Sequence, residues 1–195
     1  IVDNQEVDEI KKAFLRASVA EFDADTDIAF VQVLRMTAAK HRIKFILEGH
    51  SFQTEGVSPV GGNYLDGGYI NDIVKKYSTK KIKKFPNLTF FQFLKWIIFY
   101  RQKFIRPLWY ISYDKDLARE ELIAKINWQY YGGHHLENRA SSFAHTVWLP
   151  RKFNTDYRYL SIGAKVREGR MSREEALEIL STKPEIDQNL LNYVM

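Results

Sequence analysis

The chain has no cysteine, which excludes disulfides and thiolate-bound zinc and fits a reducing compartment. No charged-then-apolar signal segment opens it, and the expected location is cytoplasmic. It also lacks a long hydrophobic run. The most apolar stretch, Phe90 to Tyr100, is broken by Gln92 and Lys95 and falls far short of the roughly 20 residues that span a bilayer. It reads as a buried helix, with no membrane insertion. The phosphate loops G-x-G-x-x-G and G-x-x-x-x-G-K-[ST] are missing, as is the G-x-S-x-G nucleophile elbow. There is no internal repeat and no low-complexity segment. The first residue is Ile1 and a helical pattern follows at once, so a fragment of a longer protein is expected.

What is present suffices for a core. With 195 residues, 45% hydrophobic and 14% aromatic, the chain is too apolar for wholesale disorder and long enough for one large or two small domains. The net charge of +5 is local. Removing Lys75, Lys76, Lys80, Lys81, Lys83 and Lys84 leaves −1. That run is either a solvated linker or a contact for an anionic ligand or nucleic acid.

Val7, Ile10, Phe14 and Ala17 recur at helical spacing and predict a helix over residues 6–20. Asp25 or Thr26 can cap a second, ending near Lys40. Ile43 to Leu47 reads as a buried strand closed by Glu48-Gly49-His50. Helix, strand and polar glycine turn form an α/β signature, in which ligands bind beyond the carboxyl ends of parallel strands. Gly49, His50, Ser51 and Thr54 fall at that end. Residues 51–68 hold five glycines and read as a long loop. From Tyr69 the pattern turns helical: a short helix to Tyr77, then one over Phe90–Phe104 capped by Thr89, apolar nearly all round and central to a core. Asp114 or Asp116 can cap the next. Glu137–Trp148 is another, stopped by Pro150, and Thr155–Glu168 follows. Ser172-Arg173-Glu174-Glu175 is a capping box.

The densest chemistry lies in Trp128 to Arg139 and Trp148 to Arg158. His134, His135 and Glu137 are ordinary zinc ligand types, but adjacent histidines diverge and no third well-spaced ligand follows. Acid–base work or substrate hydrogen bonding suits a histidine near neutral pH better, beside a purely structural role. Arg139, Lys152 and Arg158 can clamp a phosphate or carboxylate, or form surface ion pairs with Glu137 and Asp156. His50 and Glu55 are either ligand contacts in the α/β crevice or solvated loop residues.

An ordered set of segments resembles one family, the N-acetyl sugar amidotransferases of lipopolysaccharide and surface-glycan synthesis (WbpG-type). Phe14 to Val19 is similar to its "FLKASV", Thr26 to Ala29 to "PTDHAI", and Lys44 to Glu55 to "KYILSGGNFATE". Phe85-Pro86 and Leu108 to Lys115 continue the likeness. Trp128 to Arg139 resembles "GWxxYGGKHYESR", Leu149 to Arg158 "LPxKFGIDKR", and Met171 to Leu177 "ITREEAL". Departures include His50 in place of Gly or Asn, His134 in place of Lys, Asn138 in place of Ser, and Ala144-His145, Tyr157 and Tyr159.

The resemblance implies an ATP pyrophosphatase of the PP-loop superfamily. Its fold class is α/β: residues 1–70 the C-terminal part of an adenine-nucleotide α-hydrolase-like, Rossmann-like parallel sheet domain, 71–84 a basic linker, and 85–195 an all-α domain. It implies ATP and Mg²⁺ as cofactors, a nucleotide-linked N-acetyl sugar as substrate, and ammonia from a glutaminase partner. The expected roles are catalysis for His135 and Glu137, nucleotide binding for Gly49, His50 and Glu55, and substrate binding for Arg139, Lys152, Asp156 and Arg158; no metal ligand is expected within the chain. The family's Ser-Gly-Gly-x-Asp-Ser loop is expected N-terminal to Ile1, so this polypeptide alone is expected to be inactive. Two other readings remain: a non-catalytic sugar-nucleotide or glutaminase docking module, and a tRNA-modifying enzyme of the same superfamily. Nucleic acid is the weaker partner, because positive charge with interleaved aromatics does not continue outside residues 75–84.

Overall fold

The computed structural model describes residues 4–21, 24–51, 66–130, 138–184, 186 and 188–194. They group into two units, one from residues 1–48 and 59–105, the other from 49–58 and 106–195.

In the first unit, α1 (Asn4–Ala17) and α2 (Ala24–Lys40) precede β1 (Phe45–Leu47). They are followed by α3 (Gly67–Tyr77), α4 (Phe90–Ile98) and β2 (Lys103–Ile105). The apolar stripe of α1 is buried as its spacing predicts: Ile10, Ala13 and Phe14 are fully covered. Phe14 meets Tyr69 of α3 edge to face, with ring centroids 5.6 Å apart. Removing side chains of this size from water contributes roughly 1.5–3 kcal/mol each. A Cβ on Gly67 would come within 2.6 Å of the Leu88 carbonyl oxygen, so the close approach of α3 to the segment before α4 requires glycine. Gly67 N–H donates to that carbonyl at 3.1 Å.

β1 and β2 pair in parallel, Phe45 opposite Lys103 and Leu47 opposite Ile105. This small sheet gives the described chain its α/β character; the rest is mostly helical. β2 corrects the expectation of one helix over Phe90–Phe104. α4 ends at Ile98, Arg101 takes a left-handed backbone (φ 50°), and Lys103 N–H turns to the Lys44 carbonyl at 2.8 Å. The predicted all-round burial of α4 also fails. Trp96 is buried and donates to Gln32 Oε1 at 2.9 Å, while Phe90, Phe91 and Ile98 are exposed.

In the second unit a 3₁₀ turn (Pro107–Trp109) leads to α5 (Lys115–Ile126). A continuous helical run follows: α6 (Arg139–Phe143), a π-helical turn (Ala144–Trp148) and α7 (Leu149–Lys152). Then come α8 (Arg158–Arg167), α9 (Arg173–Ser181) and α10 (Gln188–Val194). Ser141, Ala144 and Val147 form the buried stripe of the run. Asp114 caps α5 by accepting from Asp116 and Leu117 N–H, at 2.9 and 3.1 Å. Ser172 and Glu175 close the predicted capping box of α9, at 3.1 and 2.8 Å. Arg170 fastens the turn between α8 and α9, reaching the Tyr113 carbonyl at 2.9 Å and Asp114 at 3.3 Å.

Among the described residues no helix is long and apolar enough to cross a membrane.

Candidate functional site

The site begins with a proline that does not stop its helix. Pro150 has no N–H for the Thr146 carbonyl, and in an α-helix its ring would collide with that carbonyl. The chain widens instead. Leu149 N–H donates to Ala144 O, five residues back, and the helix continues to Lys152. The expected stop at Trp148 is thereby corrected. Thr146 Oγ1 donates to Ser142 O at 2.7 Å, adding a side-chain bond to the loosened turn. Such π turns change which side chains share a face and recur at functional sites.

Here the turn carries His145, whose ring stacks on Tyr157 with centroids 4.4 Å apart and planes 11° from parallel. Trp148 lies on the same turn. Lys152 Nζ rests 4.5 Å from the Trp148 ring centre, a cation–π contact that leaves the exposed ammonium facing water. At the other end, Asn138 accepts from Ala140 N–H at 2.9 Å and starts the run, with exposed Arg139 as its first residue. Thirteen residues at about 1.5 Å rise put Arg139 and Lys152 roughly 20 Å apart along the run. That separation is too large for both to hold one phosphate group.

Asp156 and Arg158 are brought together. Arg158 Nε donates to both carboxylate oxygens, at 3.1 and 3.0 Å, and its outer nitrogen to Oδ2 at 2.7 Å. The same guanidinium also donates to the Ile179 carbonyl at 3.4 Å and to the Thr182 carbonyl. These lie at the C-terminus of α9, where unsatisfied carbonyls favour a cation. Arg158 is thus a clasp between the start of α8 and the end of α9.

His135, Glu137 and Glu55, three of the predicted site residues, lie outside the described residues, as does His134. Gly49 follows β1, exposed, with no atom of the described residues within 4 Å of where a Cβ would stand; His50 is half-buried. No group of three His, Cys, Asp or Glu among the described residues could hold a metal ion. Sequence reasoning passed over His145 and Tyr157 as site residues. Both stood out only as departures from the family pattern. The signal that could have found them is Pro150, which forces the turn on which His145 sits.

The widened helix thus carries the separated cations Arg139 and Lys152 and the His145 ring, against which Tyr157 stacks from the start of α8. Residues 137–195, which include this run, match the C-terminal domain of WbpG-like lipopolysaccharide biosynthesis proteins. No curated protein and no solved structure matches the chain.

Proposed function

We propose that this chain is the C-terminal part of an ATP-dependent amidotransferase of lipopolysaccharide or O-antigen synthesis, acting in the cytoplasm on a nucleotide-linked N-acetyl sugar. The observation that carries the reading is the family match over residues 137–195. That stretch contains all four predicted substrate-binding residues, Arg139, Lys152, Asp156 and Arg158. The resemblance of the earlier segments, from Phe14-Leu15-Arg16 onward, extends it.

In this reaction the amide oxygen of the acetamido group attacks the α-phosphorus of ATP and pyrophosphate leaves. Ammonia from a glutaminase partner adds to the activated carbon, AMP departs with the oxygen, and loss of a proton leaves an acetamidino group. Adenylation makes a leaving group of an oxygen that would otherwise stay. The Mg²⁺ implied by the resemblance would neutralise the pyrophosphate; the described residues supply no cluster to hold it. Lys152 and Arg139 contact two separate parts of the sugar nucleotide, the diphosphate at one and a polar sugar group at the other. The His145–Tyr157 stack offers a flat wall between them. Asp156 and Arg158 fix the start of α8, and His135 and Glu137 orient the amide. Gly49 and His50 border the nucleotide.

The test uses the full-length protein with ammonia and candidate sugar nucleotides, following AMP and pyrophosphate. Release is expected only when an acetamido sugar nucleotide is present. Arg139→Ala and Lys152→Ala should each raise its Kd by roughly tenfold, the loss of one charge-assisted hydrogen bond. Being far apart, the two changes should multiply. AMP release stimulated by tRNA and not by sugar nucleotides would replace this reading with an RNA-modifying one.

A further inference from the structure

The lysine run, which the proposed reaction leaves without a task, is held in a definite shape. Carboxylates of α1 grip its backbone. Glu6 accepts from the N–H groups of Lys83, Lys84 and Phe85, at 2.8, 2.7 and 2.7 Å. Glu9 Oε1 accepts from Thr79 N–H at 2.8 Å, Thr79 Oγ1 at 3.0 Å and Ser78 Oγ at 3.1 Å. With the main chain tied down, Lys75, Lys76, Lys80, Lys81, Lys83 and Lys84 are all exposed. The end of α3 and this segment border a cleft of about 440 Å³ whose charged lining residues are Lys75, Lys80, Lys81 and Lys83. A solvated linker needs no such anchoring.

Six residues after Lys84, helix α4 begins. It exposes Phe90, Phe91, Ile97 and Ile98 and leads into exposed Phe99 and Tyr100. Nine residues of helix measure about 14 Å, too short to cross a hydrocarbon core of about 30 Å but long enough to lie along its surface. An apolar helix face joined to a cluster of four to eight lysines is the combination that binds anionic bilayers, where one signal alone holds weakly. Isoleucines cannot stack on bases as aromatic rings do, so the mixed Phe/Ile face favours lipid over nucleic acid.

We propose that residues 75–100 form a peripheral docking surface for an anionic lipid bilayer, the lysines meeting headgroup phosphates and the exposed face of α4 meeting the acyl boundary. The proposal stands independently of the amidotransferase reading.

The full-length protein should sediment with vesicles of phosphatidylglycerol and phosphatidylcholine at least about tenfold more strongly than with phosphatidylcholine alone, an advantage that fades at high salt. The variant with Lys75, Lys80, Lys81 and Lys83 all changed to Gln should lose that advantage. Phe90→Ser with Phe91→Ser should weaken binding severalfold while leaving the melting temperature in place, since both rings are exposed. Three outcomes would overturn it. These are equal binding to both vesicle types, full displacement by millimolar inorganic pyrophosphate (a free-phosphate site), and single-stranded RNA binding that outcompetes the anionic vesicles.

Discussion

The two units handle charge in opposite ways. The first, apart from its exposed lysine run, buries several of its charges. Asp25 is wholly covered and pairs with Lys11 at 2.6 Å, Glu9 is 5% exposed, and Arg35, 4% exposed, lies between the rings of Phe93 and Phe104. Burial lowers the pKa of that guanidinium from its ordinary value. The second unit keeps its charges at helix ends, where Asp114, Arg158, Arg170 and Glu175 cap, clasp or staple and remain partly wet. Buried charges lose much when one partner goes, because the other is stranded. Charges at helix ends lose only their own bond. The first unit should therefore be brittle at single sites, and the second graded.

The largest expected effect follows from that contrast. Asp25→Ala strands the Lys11 ammonium, which is 17% exposed and partly able to reach water. The cost should sit at the low end for a broken buried pair, about 3 kcal/mol. For a chain of this size that lowers the melting temperature by roughly 6–12 °C. A shift of under 2 °C by calorimetry would mean the pair contributes no more than a surface one, and the contrast would fail.

Arg158→Ala should cost less. The guanidinium is 30% exposed, and its loss removes charge-assisted bonds to Asp156 and to the end of α9, about 1.5 kcal/mol. Arg158→Lys should recover little, since an ammonium cannot reproduce the fork. Sugar-nucleotide affinity should hold in both variants. If affinity collapses while the melting temperature stays, Arg158 is a ligand contact and the clasp is incidental.

These outcomes depend on features that differ in how far the sequence reveals them. The caps at Asp114 and Ser172–Glu175 are legible because their chemistry is complete within four residues. β2 is not, because Lys103–Ile105 becomes a strand only by pairing with β1, more than fifty residues earlier. In isolation its apolar residues continue the pattern of α4. The tether of the lysine segment joins Glu6 and Glu9 to residues about seventy positions later, so the run reads locally as a linker. Arg158 looks like a ligand contact until Ile179 and Thr182 are placed beside it. The π turn was within reach, because Pro150 announces a missing hydrogen bond four residues back.

Acid should test the first unit at a second buried carboxylate. Four donor groups, led by Thr79 N–H and Arg16, hold the Glu9 carboxyl down at about 2. A carboxylate with a folded pKa below its unfolded one contributes stability fully above the unfolded value, near 4.5. That contribution is lost as pH falls towards 2. The melting temperature should therefore drop between pH 4.5 and 2. Glu9→Gln, whose amide oxygen still accepts but does not titrate, should show a shallower drop and only a small change at neutral pH. Parallel curves for the two proteins would remove Glu9 from the acid response of the first unit.

The smallest expected effect on stability is the most useful for function. Gly49 is exposed, no atom of the described residues lies within 4 Å of where its Cβ would be, and its φ is outside the left-handed range. Gly49→Val therefore meets neither packing nor backbone resistance, and its melting temperature should stay within the roughly 0.5 kcal/mol typical of surface changes. That neutrality makes it a clean probe. If nucleotide approaches the turn after β1, the added side chain must weaken ATP binding by steric block alone, at unchanged stability and with sugar-nucleotide affinity intact. Isothermal titration of the full-length protein separates the cases. A loss of ATP affinity without a loss of stability places the nucleotide against Gly49, whereas unchanged affinity moves the nucleotide away from this turn. In that second case, His50 and its polar neighbours after β1 would have no nucleotide to border, and the sugar-nucleotide reading would rest on the Arg139–Lys152 run.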